Sequence, residues 1–190
     1  MHIHVTGASG SGTTTLAQAL ANSLALRHLD ADNYYWLPTS PPFKRKREAS
    51  ERFALLRNEL QANSSVVLSG SVMGWGSEIE DSFSLIVFVY LAAELRIERL
   101  RLRELERFGQ VDQAFLQWAS EYDKGPSKGR SLAKHEEWLA KRPCPILRLG
   151  GDLSVAERVA HVLRALPNPS LHPKCYSGLR PLSHSGELKR

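Results

Sequence analysis

Gly7-Ala8-Ser9-Gly10-Ser11-Gly12-Thr13-Thr14 has the composition and spacing of a backbone loop that wraps a phosphate. Gly7, Gly12 and Thr14 fall where the pattern of glycine, four free positions, glycine, lysine, then serine or threonine requires them, but Thr13 occupies the lysine position. Glycines permit positive φ, so the N–H groups from Ser9, Gly10, Ser11 and Gly12 through Thr13, Thr14 and Thr15 can turn toward one anion. The first turn of a following helix adds unpaired donors and the positive end of its dipole. Thr14 retains the hydroxyl that binds Mg2+, whereas Thr13 offers a neutral donor where an ammonium would follow charge on a transferred phosphoryl group. Losing a comparable donor costs about 3–4 kcal/mol of transition-state stabilisation, roughly a hundred- to a thousandfold in rate. Phosphate binding should therefore survive the change better than catalysis, unless another basic group supplies the charge.

Two further sets of side chains suit the same chemistry. Asp30 and Asp32 stand two apart in what reads as an extended segment, which would aim both carboxylates the same way. Asp30 would then hold Mg2+ through water, and Asp32 would take the proton of an attacking hydroxyl. The ordinary alternative is that aspartates here decorate a turn or cap a helix. Arg96, Arg99, Arg101, Arg103 and Arg107 alternate with Glu94, Glu98, Glu104 and Glu106, and Arg99, Arg103 and Arg107 recur every four residues as one ridge. That ridge can face phosphate or be a solvated face laced by ion pairs, with Leu95, Leu102 and Leu105 left for packing. Other residues carry less. His2 and His4 share a strand face without a convincing third metal ligand, and His135 lacks the helix-spaced second histidine of a zinc hydrolase. Tyr34, Tyr35, Trp36 and the glycine-rich Gly70-Ser71-Val72-Met73-Gly74-Trp75-Gly76 suit either a pocket lining or aromatic packing.

These residues need elements to position them. Ile3–Val5, Arg27–Leu29, Val66–Ser69, Leu85–Tyr90 and Ile146–Leu149 read as short strands. Helical patterns at Thr13–Ala25, Arg47–Ala62, Ala93–Phe108, Val111–Glu121 and Val155–Ala165 alternate with them. This order predicts an α/β fold, a parallel sheet of about five strands with helices on both faces and ligands at the carboxyl ends of the strands. The 190 residues, 42% apolar and 24% charged, fit one globular domain. The apolar run Leu85 to Ala93 is about half a bilayer span, and a loop so near Met1 leaves no room for a signal peptide, so a cytoplasmic location without membrane contact is expected. Cys144 and Cys175 form neither a ligand cluster nor a disulfide framework. The net charge of +5 is concentrated in a proline-containing tail, residues 167–190, which makes nucleic-acid binding a low-priority reading. A second basic run, Lys44-Arg45-Lys46-Arg47, reads as a solvated helix start.

Through its phosphate loop, its Asp-x-Asp segment and its element order, the chain resembles small P-loop kinases of the adenylate, shikimate and gluconate kinase group from about Met1 to Leu166. The resemblance implies a three-layer P-loop NTPase fold, ATP and Mg2+ as cofactors, an acceptor-binding insertion near 33–62 and a lid near 108–130. It implies metal or substrate contacts for Asp30 and Asp32, phosphate or base contacts for Arg99 and Arg103, and backbone contacts to the base near Leu149-Gly150-Gly151-Asp152. Lys124, Lys128 and Arg130 become candidates to replace the loop lysine. Ser69 stands where nucleotide monophosphate kinases often carry a magnesium-binding aspartate, and gluconate kinase-like sequences also show serine in this neighbourhood. Two functions follow from the resemblance: phosphoryl transfer from ATP to an unidentified small acceptor, or a nucleotide-binding regulatory module with little catalysis.

Overall fold

The computed structural model describes residues 1–125 and 129–166. Strand β1 (His2–Gly7) runs into the loop and helix α1 (Thr13–Leu24), followed by β2 (Arg27–Asp30), α2 (Ala31–Tyr35), α3 (Ala49–Ala62), β3 (Val66–Ser69) and α4 (Ser77–Glu80). Then come β4 (Leu85–Tyr90), α5 (Ala93–Phe108), α6 (Gln113–Ser120), α7 (Leu132–Ala140), β5 (Ile146–Gly150) and α8 (Val155–Ala165). The strands form one sheet in the order β2-β3-β1-β4-β5, with every pairing parallel.

Alternation along the strands divides the core into two layers. Ile3, Val5, Val67, Val87 and Val89 face α1 and α8, burying Leu16, Leu20 and Val162. The opposite face carries Leu68, Ile86 and Phe88 against Leu56 and Leu60 of α3 and Trp138 and Leu139 of α7. His4 and Thr6 alternate with Ile3 and Val5 and are fully buried. The fold is therefore the expected three-layer α/β arrangement, and among the described residues no helix is long and apolar enough to cross a membrane.

Three local expectations are corrected. Asp32 does not continue an extended segment, because the chain turns into α2 directly after Asp30. The basic run is not a helix start: Leu37 N–H donates to Arg45 O, Arg47 N–H donates to Tyr35 O, and α3 begins only at Ala49. Helix α5 also turns the other way. Leu95, Leu102 and Leu105 are exposed, and its buried residues are Arg96, Leu100 and Glu104. The physical reason lies in Arg96, whose guanidinium donates to Leu91 O at 2.8 Å, Ala119 O at 3.1 Å and Asp123 Oδ2 at 3.1 Å. A charge with three acceptors is satisfied inside, so it displaces the leucines from the packed face. Helices α4 and α7, which the sequence patterns did not announce, complete the layer beneath the loop after β3.

Candidate active site

β1 delivers the glycine loop at the carboxyl end of the sheet. Gly10 and Gly12 adopt φ of 83° and 87°, and a β-carbon at Gly10 would lie 2.6 Å from Arg96 O, so neither conformation nor space admits a side chain there. Ser11 closes the turn, its N–H and Oγ–H both donating to Ala8 O at 3.2 Å and 2.8 Å, which turns its hydroxyl away from any ligand. Helix α1 starts without a side-chain cap or an acidic residue in its first turn. The donors of Thr13, Thr14 and Thr15 therefore open into a cleft of about 590 Å3. Thr13 lines that cleft as a neutral residue.

Asp30 caps α2, the ordinary role open to it, and its second oxygen faces Thr14. Oδ1 caps α2 by accepting from Asp32 N–H at 3.0 Å, and Oδ2 accepts from Thr14 Oγ1–H at 3.4 Å. A threonine hydroxyl and a carboxylate side by side form the hard oxygen pair that Mg2+ takes alongside waters and phosphate oxygens. Asp32, in the first turn of α2, is accessible to solvent yet closely surrounded by protein. Desolvation and the neighbouring Asp30 raise its carboxyl above the usual carboxylate range, against the opposing charges of Arg130 and Arg103.

Arg130 alone of the three expected basic candidates is shown to reach the loop, its Nη2 donating to Ser9 Oγ at 3.4 Å. Lys124 is exposed, and Lys128 and the tail 167–190 lie outside the described residues. Arg99 and Arg103 both line the cleft, with Arg99 paired to Asp152 at 2.5 Å in the turn after β5. Arg107 is exposed and is not among the cleft-lining residues. Ser69 is buried beside His28, whose Nε2 lies 3.0 Å from its Oγ.

Beyond Asp32 lies an aromatic, basic face. The guanidinium of Arg52 sits 4.9 Å from the ring centres of both Tyr35 and Trp75, and Lys46 Nζ lies 5.7 Å over Tyr35. Glu80 fixes the Trp75 loop, accepting from Trp75 N–H and Gly76 N–H at 2.9 and 3.1 Å and from Trp138 Nε1–H at 2.6 Å. His2 and His4 are structural. His2 Nε2 lies 3.0 Å from Asn63 O, and His4 stacks on Phe83 at 4.7 Å with Nδ1 at 3.2 Å from Leu68 O. His135 receives the Tyr122 hydroxyl at 2.5 Å, and no His/Cys/Asp/Glu metal cluster occurs among the described residues.

Sequence reasoning missed Arg52, Glu80 and Arg158. Arg158 lies under the loop, its Nη1 donating to Ser11 O at 2.8 Å. A signal existed for it, because Arg158 stands four residues before the buried Val162 on the apolar face of α8, where an unpaired arginine would be out of place. Glu80 and Arg52 gave no such signal, since charges near helix ends are ordinary.

Comparison with known proteins agrees with the fold. The chain is 45% identical over 172 residues to the uncharacterized protein YqaC of Bacillus subtilis (strain 168), covering 85% of this chain and 95% of that protein. Its fold is similar to shikimate kinase from Acinetobacter baumannii in complex with shikimate, with a TM-score of 0.58 at 17% identity over 91% of this chain and 94% of that one. Shikimate kinase from Bacteroides thetaiotaomicron gives a TM-score of 0.55 at 20% identity, covering 87% and 98% of the two chains. A gluconokinase from Sinorhizobium meliloti 1021 gives 0.52 at 17% identity, covering 87% and 94%. Residues 3–112, which carry the phosphate loop, Asp30 and Asp32 and the whole of the arginine helix α5, match the AAA domain family, and the chain belongs to that family as a small P-loop kinase-like protein.

Proposed function

We propose that the protein is an ATP-dependent, Mg2+-assisted phosphotransferase acting on a small hydroxyl-bearing acceptor. The observation that carries this reading is the convergence on one loop of the uncapped first turn of α1, the Thr14–Asp30 oxygen pair, and Asp32 with a raised pKa between Asp30 and Arg130. A structural loop has no need of a proton acceptor beside a metal-suited pair.

ATP and Mg2+, when bound, supply the phosphoryl group and the cationic charge upon it. The N–H groups of the loop and of Thr13, Thr14 and Thr15 hold the phosphates, and Thr14 Oγ1 with Asp30 would hold the metal. Asp32 accepts the proton of the acceptor hydroxyl as its oxygen bonds to the terminal phosphorus; the bond to the bridging oxygen breaks and ADP leaves. Arg103 offsets the charge that develops, and Arg99, braced by Asp152, borders the nucleotide side of the cleft. In this reading residues 33–62 present the acceptor, and the lid is assigned to residues 108–130, of which 126–128 lie outside the described residues. The tail 167–190 plays no part in it.

The test is a phosphoryl-transfer screen over nucleoside monophosphates, sugar acids and other small hydroxyl compounds, run beside calorimetry with ATP and Mg2+. Transfer to one class of acceptor is expected. ATP binding with no transfer across the panel would instead assign the chain to the nucleotide-binding modules, a reading that Thr13 favours. Absence of ATP binding would end both.

A further inference from the structure

Among the described residues, the positive side chains that bond to the phosphate loop, Arg130 and Arg158, come from far along the chain. Arg158 of α8 is 4% exposed, and its guanidinium spans two carbonyls, Ser11 O at 2.8 Å and Gly151 O at 3.1 Å. A β-carbon at Gly12 would lie 3.3 Å from its Nη1, so this cation touches the residue that precedes Thr13. Its Nε is buried with no hydrogen-bond partner, and no carboxylate forms an ion pair with it among the described residues. Buried arginines are normally matched by a carboxylate. Here two neutral carbonyls orient the guanidinium beside the phosphate cleft it lines, and the Asp152 carboxylate that acts on its charge at longer range is already paired with Arg99, whose like charge opposes it. Arg130 approaches the other end of the loop at Ser9, on the side of Asp32.

Resting on the kinase reading above, we propose that the charge missing at Thr13 is delivered from outside the loop by two arginines that divide the work of the lysine. Arg158, fixed beneath Ser11 and Gly12, is a positioning residue that holds the bound polyphosphate through the loop. Arg130, at Ser9, is the catalytic residue that meets the phosphoryl group in transfer. One ammonium on a flexible stem ordinarily does both, because it moves with the charge; two planar guanidiniums anchored on different elements do not move, so each serves one end.

The test uses the full chain carrying Arg158→Gln, Arg158→Lys, Arg130→Gln, Thr13→Lys and each glutamine variant combined with Thr13→Lys. Affinity is read by calorimetry with Mg2+ and a non-hydrolysable ATP analogue. Turnover is read with an acceptor found in the screen, or as slow ATP hydrolysis where none is found. Arg158→Gln should weaken the analogue about tenfold or more, with the loss falling on Kd more than on kcat. Arg158→Lys, which keeps the charge, should stay within about threefold. Arg130→Gln should lose about a hundredfold, falling on kcat more than on Kd. Thr13→Lys should recover at least tenfold of each loss and gain clearly less when introduced alone into the parent; equal gains in the parent and the glutamine variants would mean that the arginines are structural braces and overturn the proposal.

Failure of Thr13→Lys to rescue either variant, or unchanged analogue affinity in Arg158→Gln, overturns the division of labour. An unfolded Arg158→Gln is recognised by its thermal midpoint, and the lysine variant then decides: weakened analogue affinity in a folded Arg158→Lys overturns the Arg158 assignment. Analogue binding that depends on Arg158 in a protein that neither transfers nor hydrolyses would sink the kinase reading and the Arg130 half while leaving the Arg158 half standing.

Discussion

In the proposed transfer, what suits Asp32 to accept a proton is its surroundings rather than its residue type. Protein crowds it and Asp30 repels its ionised form, while Arg130 and Arg103 keep the ionised form within reach. Replacing it by asparagine should lower kcat by about a hundredfold or more and leave ATP affinity nearly intact, read by turnover beside calorimetry. Activity should also fall as pH drops through the raised pKa, so the acid limb of kcat/KM should sit above the ordinary carboxylate range and disappear in Asp32→Asn. An acid limb at the position of an unperturbed aspartate would remove Asp32 from the proton transfer. The loop and the Asp-x-Asp segment were legible in the sequence because their contacts are local: Ser11 to Ala8, and Asp32 N–H to Asp30. Arg130 was one candidate among three until its contact with Ser9, 121 residues away, separated it from Lys124.

At the scale of elements, one carboxylate organises the aromatic face beyond Asp32. Glu80, at the end of α4, ties the Trp75 loop to Trp138 of α7 and to Arg142, whose Nη1 lies 3.2 Å from Oε2. All of these groups are largely buried, so Glu80→Ala would strand the two loop N–H groups and the Trp138 indole N–H, while Arg142 keeps its pairing with Asp81 at 2.7 Å. A loss of about 3–5 kcal/mol is expected, measured by urea unfolding, and Glu80→Gln, which keeps an acceptor, should lose less. Equal stability of both variants with the parent would show that the loop holds its shape without Glu80. Helix α5 explains why faces are harder to read than helices. Its length and 3.6-residue period were plain, but leucines and arginines compete for the inner side, and three acceptors beyond the helix gave that side to Arg96. Helix α2 was missed for a related reason, since five residues carry too little periodicity to distinguish a capped turn from an extended strand end.

Across the whole molecule, the layer beneath the site depends on two histidines being neutral. Burial lowers His4 to about 4 and His135 to about 3 from the ordinary value near 6.5, with Arg130 adding to the effect on His135. Because the unfolded chain binds these protons first, the stability they contribute is complete above about pH 6.5 and is lost as pH falls toward the folded values. At pH 5 each should cost about 2 kcal/mol relative to pH 7.5, seen as a lower urea midpoint, and His4→Phe, which keeps the stack on Phe83, should remove about half of that acid sensitivity. A midpoint unchanged between the two pH values would mean that the histidines are not held neutral. The sequence by itself determined the phosphate loop, the order of strands and helices and the acidic pair after β2. Dihedral preferences, hydrophobic period and hydrogen bonds across a few residues are written into neighbouring positions. Only the tertiary structure decided which charges serve the loop. Arg158 meets Ser11 across 147 residues, and a helix arginine has the same letter and spacing whether it faces water or a buried carbonyl.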